Sequence, residues 1–380
     1  MFFFLLILFQ TPFCFILLYR LSSAPRRIPP LEPNLDPKKR SVSVIIPTLN
    51  ERERLPNCLA GLKDQPIGEI IVVDSNSTDG TREYVIEQQP DYPLPLRLIT
   101  DDPLPPDWVG RPWALNFGFQ HSDRELTWLL GLDADTIPQP GLVASLIDQA
   151  ESGHWDLVTL APKFIIKHPG EQWLQPSLLL TLVYRFGASG DQEQFSEQRV
   201  MANGQCCLAK KSVLQALGGY SLAKNSFCDD VTLARCAAQR GFRVGFLDGA
   251  KLLQVRMYSS MAETWREWGR SLDLKDAATP LATWSDCLYL LAVQGLPLFV
   301  LTYLGIVNPT TVLENILLDL NLGLFTIRCL MLFAIRPSYR AVGFWYWLSP
   351  LSDPLAVLRI WLSALQQPKT WRGRFYGKIG

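Results

Sequence analysis

Five aspartates stand where an α/β chain can do chemistry. Asp74 ends the apolar run of EIIVVDS (69–75), and ligand sites in open α/β sheets lie at the carboxyl ends of strands. The same residue suits a turn cap, and Asp79-Gly80 behind it is turn text. Asp133 and Asp135 follow the apolar lead-in of LTWLLGLDAD (126–135). Two carboxylates two residues apart repel each other, and a bound divalent cation offsets that cost. Mg²⁺ and Mn²⁺ favour carboxylate, water and phosphate oxygens. A solvated loop is the other reading of this pair. Asp229-Asp230 opens a helical pattern in SFCDDVTLARCAAQRGFRVGFL, where the helix dipole favours negative charge. Capping alone accounts for that pair in isolation. The order strand-Asp, strand-Asp-x-Asp and Asp-Asp at a helix start, within one domain, is more than capping requires.

The elements that must position these residues are legible in the same text. VSVIIPT (42–48), EIIVVDS, LRLIT (96–100) and LTWLLGLDAD read as short buried strands. Ser77–Gln88 reads as a helix with Asp79 in its first turn. Strands alternating with helix-sized gaps mean a doubly wound, Rossmann-like α/β sheet, expected over residues 41–280. Before it lies a Pro/basic linker, 22–40, with Pro25, Pro29, Pro30, Pro33 and Pro37.

Both ends of the chain are apolar. Phe2–Tyr19 carries no charge, and at about 1.5 Å per residue it spans roughly 27 Å, close to a hydrocarbon core. Residues 1–21 are expected to form a transmembrane helix rather than a signal peptide, lacking a basic start and a small-x-small cleavage site. The region 281–366 holds two spans, Ala282–Val307 and Thr311–Ile335, the second interrupted by Glu314, Asp319 and Arg328. A third stretch, Ala341–Leu365, is broken at Ser349-Pro350 and Asp353-Pro354 and is expected to be re-entrant or interfacial. Arg20, Arg26, Arg27 and Lys38–Arg40 follow the first helix, and the positive-inside rule puts them, the domain after them and the basic 367–380 tail in the cytosol.

Composition agrees with a domain fused to membrane segments. The 380 residues carry 36 Lys+Arg against 36 Asp+Glu, with 48 % apolar and 19 % charged residues and mean hydropathy +0.09. Zero net charge argues against a nucleic-acid partner. The eight cysteines form no C-x-x-C pair and three scattered histidines offer no metal set, so reduced thiols and no zinc site are expected.

Taken together, VSVIIPTLNE, VVDSNSTDGT, LDADTIP and the run from NGQCCLAKK to CDDVTLARCAAQRGFRV resemble glycosyltransferase family 2, the inverting nucleotide-sugar transferases of GT-A fold. The resemblance covers about residues 42–275 and implies a Rossmann-like mixed sheet. It implies that Asp74 contacts the nucleotide base, with Pro47, Asn50 and Glu51 in the same pocket. Asp133 would face the ribose and diphosphate and share a metal, Mn²⁺ or Mg²⁺, with Asp135. Asp230 would be the general base, with Asp229 beside it. Gly110-Arg111 and Ala114-x-Asn116-x-Gly118 resemble the segment beside the sugar phosphate. Arg111 there either neutralises the diphosphate or is a surface arginine.

One segment departs from the family pattern. Processive members carry Q-x-x-R-W after the acid pair, whereas this chain has Thr264-Trp265-Arg266-Glu267-Trp268-Gly269-Arg270. Trp265, Arg266, Trp268 and Arg270 either approach the diphosphate and acceptor or form an amphipathic interfacial helix. The departure, and the few strong spans, count against processive polymer synthesis. Membrane segments flanking a cytosolic domain suit a nucleotide-sugar donor, a UDP-sugar first, and a lipid acceptor. The plan resembles ceramide glucosyltransferase-like, hopanoid-associated and carotenoid glycosyltransferases, with ETWREWGRSLDLKD and WRGRFYG leaning toward the carotenoid enzymes. A catalytically inert nucleotide-sugar-binding membrane subunit and a polysaccharide synthase are the alternatives.

Overall fold

The computed structural model describes residues 1–22, 27–36, 41–190, 197–269, 272, 274–366, 370–371 and 374–375. The chain forms two compact units. Elements are numbered along the whole chain.

The sheet unit comprises Ile28–Phe164 and Ser189–Met257, with two short strands from the C-terminal tail. Seven strands build its main sheet: β1 Val42–Thr48, β2 Glu69–Asp74, β3 Leu96–Thr100, β4 Trp128–Leu132, β6 Leu157–Ala161, β8 Cys206–Lys210 and β9 Val244–Asp248. Their order is β3-β2-β1-β4-β8-β6-β9. A small second sheet joins β5 Thr136–Pro138, β10 Leu253–Val255 and β7 Lys163–Phe164, and the tail pairs β11 Thr370–Trp371 with β12 Arg374–Phe375. Helices α2 Leu55–Leu62, α3 Thr81–Gln88, α4 Gly110–His121, α5 Leu142–Ser152, α7 Lys211–Leu217 and α8 Asp229–Gln239 complete the unit.

Residues alternate between the faces of a strand, and here both faces are covered. Val44, Ile46, Val72 and Leu130 join Leu55, Leu59 and Leu62 of α2 and Leu142 and Leu146 of α5 in one buried cluster. Ile45 and Val73 face α4, which lies so close that a Cβ on Gly118 would meet Ile45 Cγ2 at 2.4 Å. Any side chain at 118 would push α4 off the sheet.

The expected strands are present, and the first four run parallel. The sheet is mixed, as the resemblance implies. β8 pairs antiparallel with both β4 and β6. This reversal positions the site, because β8 begins where β4 ends, with Leu132 opposite Cys206. The loop before β8 thereby lies against the residue after β4, and Asp133 N–H donates to Gln205 O at 3.1 Å.

α3 starts at Thr81 rather than Ser77. The intervening residues are held by side chains instead of a helical ladder. Asp74 accepts from Ser77 N, and Asp79 accepts from Arg52 N and Thr81 N. Asn76 and Gly80 take positive φ, 61° and 90°.

The helical unit comprises Met1–Arg27, Ile165–Ala188 and Tyr258–Pro368. It contains α1 Phe2–Leu21, α6 Pro169–Phe186, α9 Met261–Glu263, α10 Pro280–Leu290, α11 Pro297–Val307, α12 Val312–Ile335, α13 Phe344–Trp347 and α14 Asp353–Leu365. Residues 165–188, expected inside the 41–280 domain, belong to this unit; the LLLTLVY text of α6 packs with the apolar helices. Among the described residues, three helical stretches are long and apolar enough to cross a membrane: Phe2–Leu21, Pro280–Val307 and Val312–Ser338. The second contains a wide turn at Leu291–Gly295, just before Pro297, whose missing N–H cannot continue the ladder. After Trp347 the chain makes a tight turn, Ser349–Ser352, and α14 is 13 residues long. At about 1.5 Å per residue that is roughly 20 Å, short of a hydrocarbon core of about 30 Å.

Candidate active site

Three loops meet at the ends of β4, β8 and α8. Asp133 is the first residue after β4, Gly204 lies just before β8, and Asp229 and Asp230 begin α8. The guanidinium of Arg111, from the first turn of α4, joins them. Its Nε donates to Asp133 Oδ1 at 2.9 Å, its Nη1 to Asp229 Oδ2 and its Nη2 to Gly204 O. Gly204 N–H donates to Asp230 Oδ2 at 2.6 Å. The Arg111 side chain is only 12 % exposed. It is therefore no surface arginine, and its partners here are two carboxylates and the Gly204 carbonyl.

Burial sets the charge state of this group. It pushes the Asp229 carboxyl up to about 7; Arg111 opposes the shift, while Asp230 and Asp133 add to it. Burial also raises Asp230, against Arg111 and the N–H groups of Val231 and Gly204. Asp135, two residues past Asp133, is pushed up to about 7 by burial and by the charge of Asp133, with Arg54 and Arg111 pulling the other way. Arg54 also pairs with Glu51 at 3.3 Å.

A divalent metal fits the donor set of Asp133 and Asp135. Both present hard oxygens, and Asp135 is held where an added positive charge lowers the cost of ionisation. Among the described residues no group of three or more His, Cys, Asp and Glu gathers for a metal. Mg²⁺-type sites commonly use one or two carboxylates and complete the shell with water and substrate phosphates.

The second cluster lies at the ends of β1 and β2. Thr48 sits opposite Asp74 in register, and Pro47 opposite Val73. Asp74 is fully buried and already engaged. Thr48 Oγ1 and Ser77 Oγ donate to its Oδ1 at 3.1 and 2.5 Å, and Ser77 N and Arg82 reach its Oδ2 at 3.0 and 3.5 Å. A carboxylate offers about four acceptor positions, so this one is spent on holding the 75–77 loop. Asn50, exposed and at φ 58°, braces the same loop: its Oδ1 accepts from Thr78 N and its N–H donates to Ser77 Oγ. Glu51 N–H donates to Thr81 Oγ1. Pro47 near the end of β1, Asn50 and Glu51 after it, and Asp74 at the end of β2 thus lie in one region, and Asp74 shapes its loop from inside.

Asn116 was expected beside the sugar phosphate. It is instead buried, its Oδ1 accepting from Tyr220 N at 3.1 Å. It pins α4 to the Gly218-Gly219 turn. Trp265, Arg266 and Trp268 lie in the helical unit, in a wide helical turn, Thr264–Trp268. Arg266 is exposed and paired with Glu267 at 2.8 Å, and Trp265 O accepts from Arg359 Nε at 2.8 Å. Arg270 lies outside the described residues. Sequence reasoning missed Gly204 and Arg54. The turn text Asn203-Gly204 was the available signal for the first; nothing marked the second.

A Rossmann-like mixed sheet with paired carboxylates after β4 and at the start of α8 defines a GT-A nucleotide-diphosphosugar transferase fold. Residues 43–218 match the model of Glycosyl transferase family 2, and residues 141–377, more than half of the chain, match that of Glycosyl transferase family 21. The chain belongs to Glycosyl transferase family 21, and its N-terminal part matches family 2 as well. Among similar proteins is a 4,4'-diaponeurosporenoate glycosyltransferase of Staphylococcus haemolyticus, 24 % identical over 63 % of this chain and 63 % of the relative. Another is the probable glycosyltransferase YdaM of Bacillus subtilis, 25 % identical over 64 % of this chain and 56 % of the relative. The matches span less than two thirds of either relative's length. Among solved structures, glucosyl-3-phosphoglycerate synthase from Mycobacterium tuberculosis, in complex with Mn²⁺, uridine diphosphate and phosphoglyceric acid, aligns at TM-score 0.43 and 20 % identity, covering 63 % of this chain and 78 % of that one.

Proposed function

We propose that this protein transfers a sugar from a nucleoside-diphosphate sugar, a UDP-sugar first, to a hydroxyl of a membrane lipid, one sugar at a time and with inversion. The convergence of Asp133, Asp229 and Asp230 on Arg111 and Gly204 carries the reading. Asp230 takes the proton of the attacking hydroxyl. Asp229 and Arg111 set the charge around it. Asp133 and Asp135 are the residues to hold Mn²⁺ or Mg²⁺, which when bound supplies positive charge at the diphosphate oxygens. The 47–51 and 74–78 loops line the nucleotide end.

The acceptor class rests on two supports. Three stretches suit a bilayer, and one relative is named for a carotenoid-type substrate. A carotenoid is accordingly the first lipid to test. The positive-inside rule places the sheet unit in the cytosol, where nucleotide sugars are found.

Purified protein in detergent, given Mn²⁺ and a panel of nucleotide sugars with and without membrane lipid extract, tests the reading. Lipid-dependent release of nucleoside diphosphate is expected. Release with no lipid requirement would remove the lipid acceptor, and nucleotide binding without release would leave an inert binding subunit. Polymeric product would mark a polysaccharide synthase.

A further inference from the structure

The backbone of Gly204 is bonded on both sides to the charged groups of the site. Its N–H donates to Asp230 Oδ2 at 2.6 Å and its C=O accepts from Arg111 Nη2. The guanidinium lies against the glycine itself: a Cβ there would meet Arg111 Nη2 at 2.8 Å, Cζ at 3.0 Å and Nη1 at 3.1 Å. Gly204 has no positive φ. The need for glycine is thus a close approach and not a strained backbone. The turn that presents this peptide is shaped by its neighbours. Asn203 Oδ1 accepts from Gln205 N at 2.9 Å, Asn203 Nδ2 donates to Gln205 Oε1 at 3.3 Å, and Gln205 O accepts from Asp133 N at 3.1 Å.

We infer that Gly204 is a positioning residue for the transfer. Its N–H fixes one oxygen of Asp230 so that the other faces the acceptor hydroxyl, and its lack of a side chain lets Arg111 hold the next peptide through the Gly204 C=O. The inference deepens the proposed function and rests on Asp230 as base. The chemistry follows from geometry: a base whose carboxylate is held by backbone N–H groups, Gly204 N–H at Oδ2 among them, keeps a fixed direction, and a displacement of about 1 Å at such a group can cost about 10²-fold in rate. The Gly204 peptide also makes the aim of Asp230 depend on where the Arg111 guanidinium sits.

Gly204→Ala and Asn203→Ala are the test variants. The first forces the guanidinium and the peptide apart; the second loosens the turn with no clash. Both are compared with wild type for kcat, donor KM and thermal unfolding. The expected result is a kcat lower by about 10- to 100-fold in each, with donor KM changed by less than about twofold in Asn203→Ala. In an Arg111→Lys background, which removes the atoms a Cβ would strike, Gly204→Ala should cost less than about threefold further. If Gly204→Ala does not fold, Asn203→Ala still decides. Wild-type kcat in the folded loop variants, alongside an inactive Asp230→Asn, would overturn the positioning role alone. An Asp230→Asn enzyme with wild-type kcat would remove the base assignment and this inference with it.

Discussion

Asp133, Asp229 and Asp230 all feel one guanidinium, that of Arg111, so their charges are not independent. Asp135 feels Asp133 and Arg54 ahead of Arg111, and its pH behaviour is a direct residue-scale test. In the folded chain its carboxyl is pushed up to about 7, against 3.8 for the ordinary group. Between those values the folded state binds more protons than the unfolded one. Stability of the metal-free, nucleotide-free protein should therefore fall as pH rises from about 4 to about 7 and then level off. Thermal unfolding at pH 5 and pH 8 checks this: Asp135→Asn should flatten the slope, and Mn²⁺ at pH 8 should stabilise wild type more than the variant. For Asp230 the sign concerns activity. The base works ionised and burial raises its pKa, so activity should decline with falling pH across a range above the ordinary carboxylate value. A kcat–pH profile whose acid limb stays at the ordinary value would contradict that. The aspartates were legible because each follows an apolar run or opens a helix. Gly204 was not, since a glycine in a turn says nothing about which side chain will lie against it.

At the scale of elements, the parallel strands were readable from β-branched runs, whereas the direction of β8 was not. CCLAK is too short to declare a partner, and pairing direction is decided by which loops close. Asn116 shows the same limit on a helix. Spacing placed it on α4 with Arg111, but only packing reveals that it faces Tyr220. Asn116→Ala should cost about 1–3 kcal/mol of stability, because a buried N–H loses its partner, and leave donor KM unchanged. A raised KM at wild-type stability would return Asn116 to the nucleotide site. In the helical unit, Arg328 and Asp353, which read as interruptions of apolar text, form a buried ion pair at 2.6 Å. Arg328 Nη2 also donates to Ser177 Oγ and Ser349 Oγ, and Gln294 Nε2 to Asp353 Oδ1. The pair joins α12 to the start of α14. Asp353→Ala should destabilise by about 3–5 kcal/mol, while replacing both partners by leucine should cost less; unfolding in detergent measures both. Equal losses would mean that the pair itself, not the stranded charge, carries the stability.

For the whole molecule, the account joins a sheet unit that holds the carboxylates to a helical unit built for apolar surroundings. Within the latter, Gln10 and Asn321 exchange amide hydrogen bonds at 2.9 Å, and Gln10 Nε2 also reaches Ala292 O at 2.9 Å. That contact makes α1 part of a bundle. Orientation has its own test: Arg124→Cys, at an exposed position of the sheet unit, should react with an impermeant maleimide in inverted vesicles and not in intact cells, and the reverse pattern would put the unit on the far side. The central claim is tested most directly by the mass of the lipid product. Wild-type protein with nucleotide sugar, Mn²⁺ and lipid extract should yield a lipid bearing one added sugar. Asp230→Asn, still binding the nucleotide, should lower its rate of formation by about 10²–10⁴. The same glycolipid formed at the wild-type rate by Asp230→Asn would contradict the account.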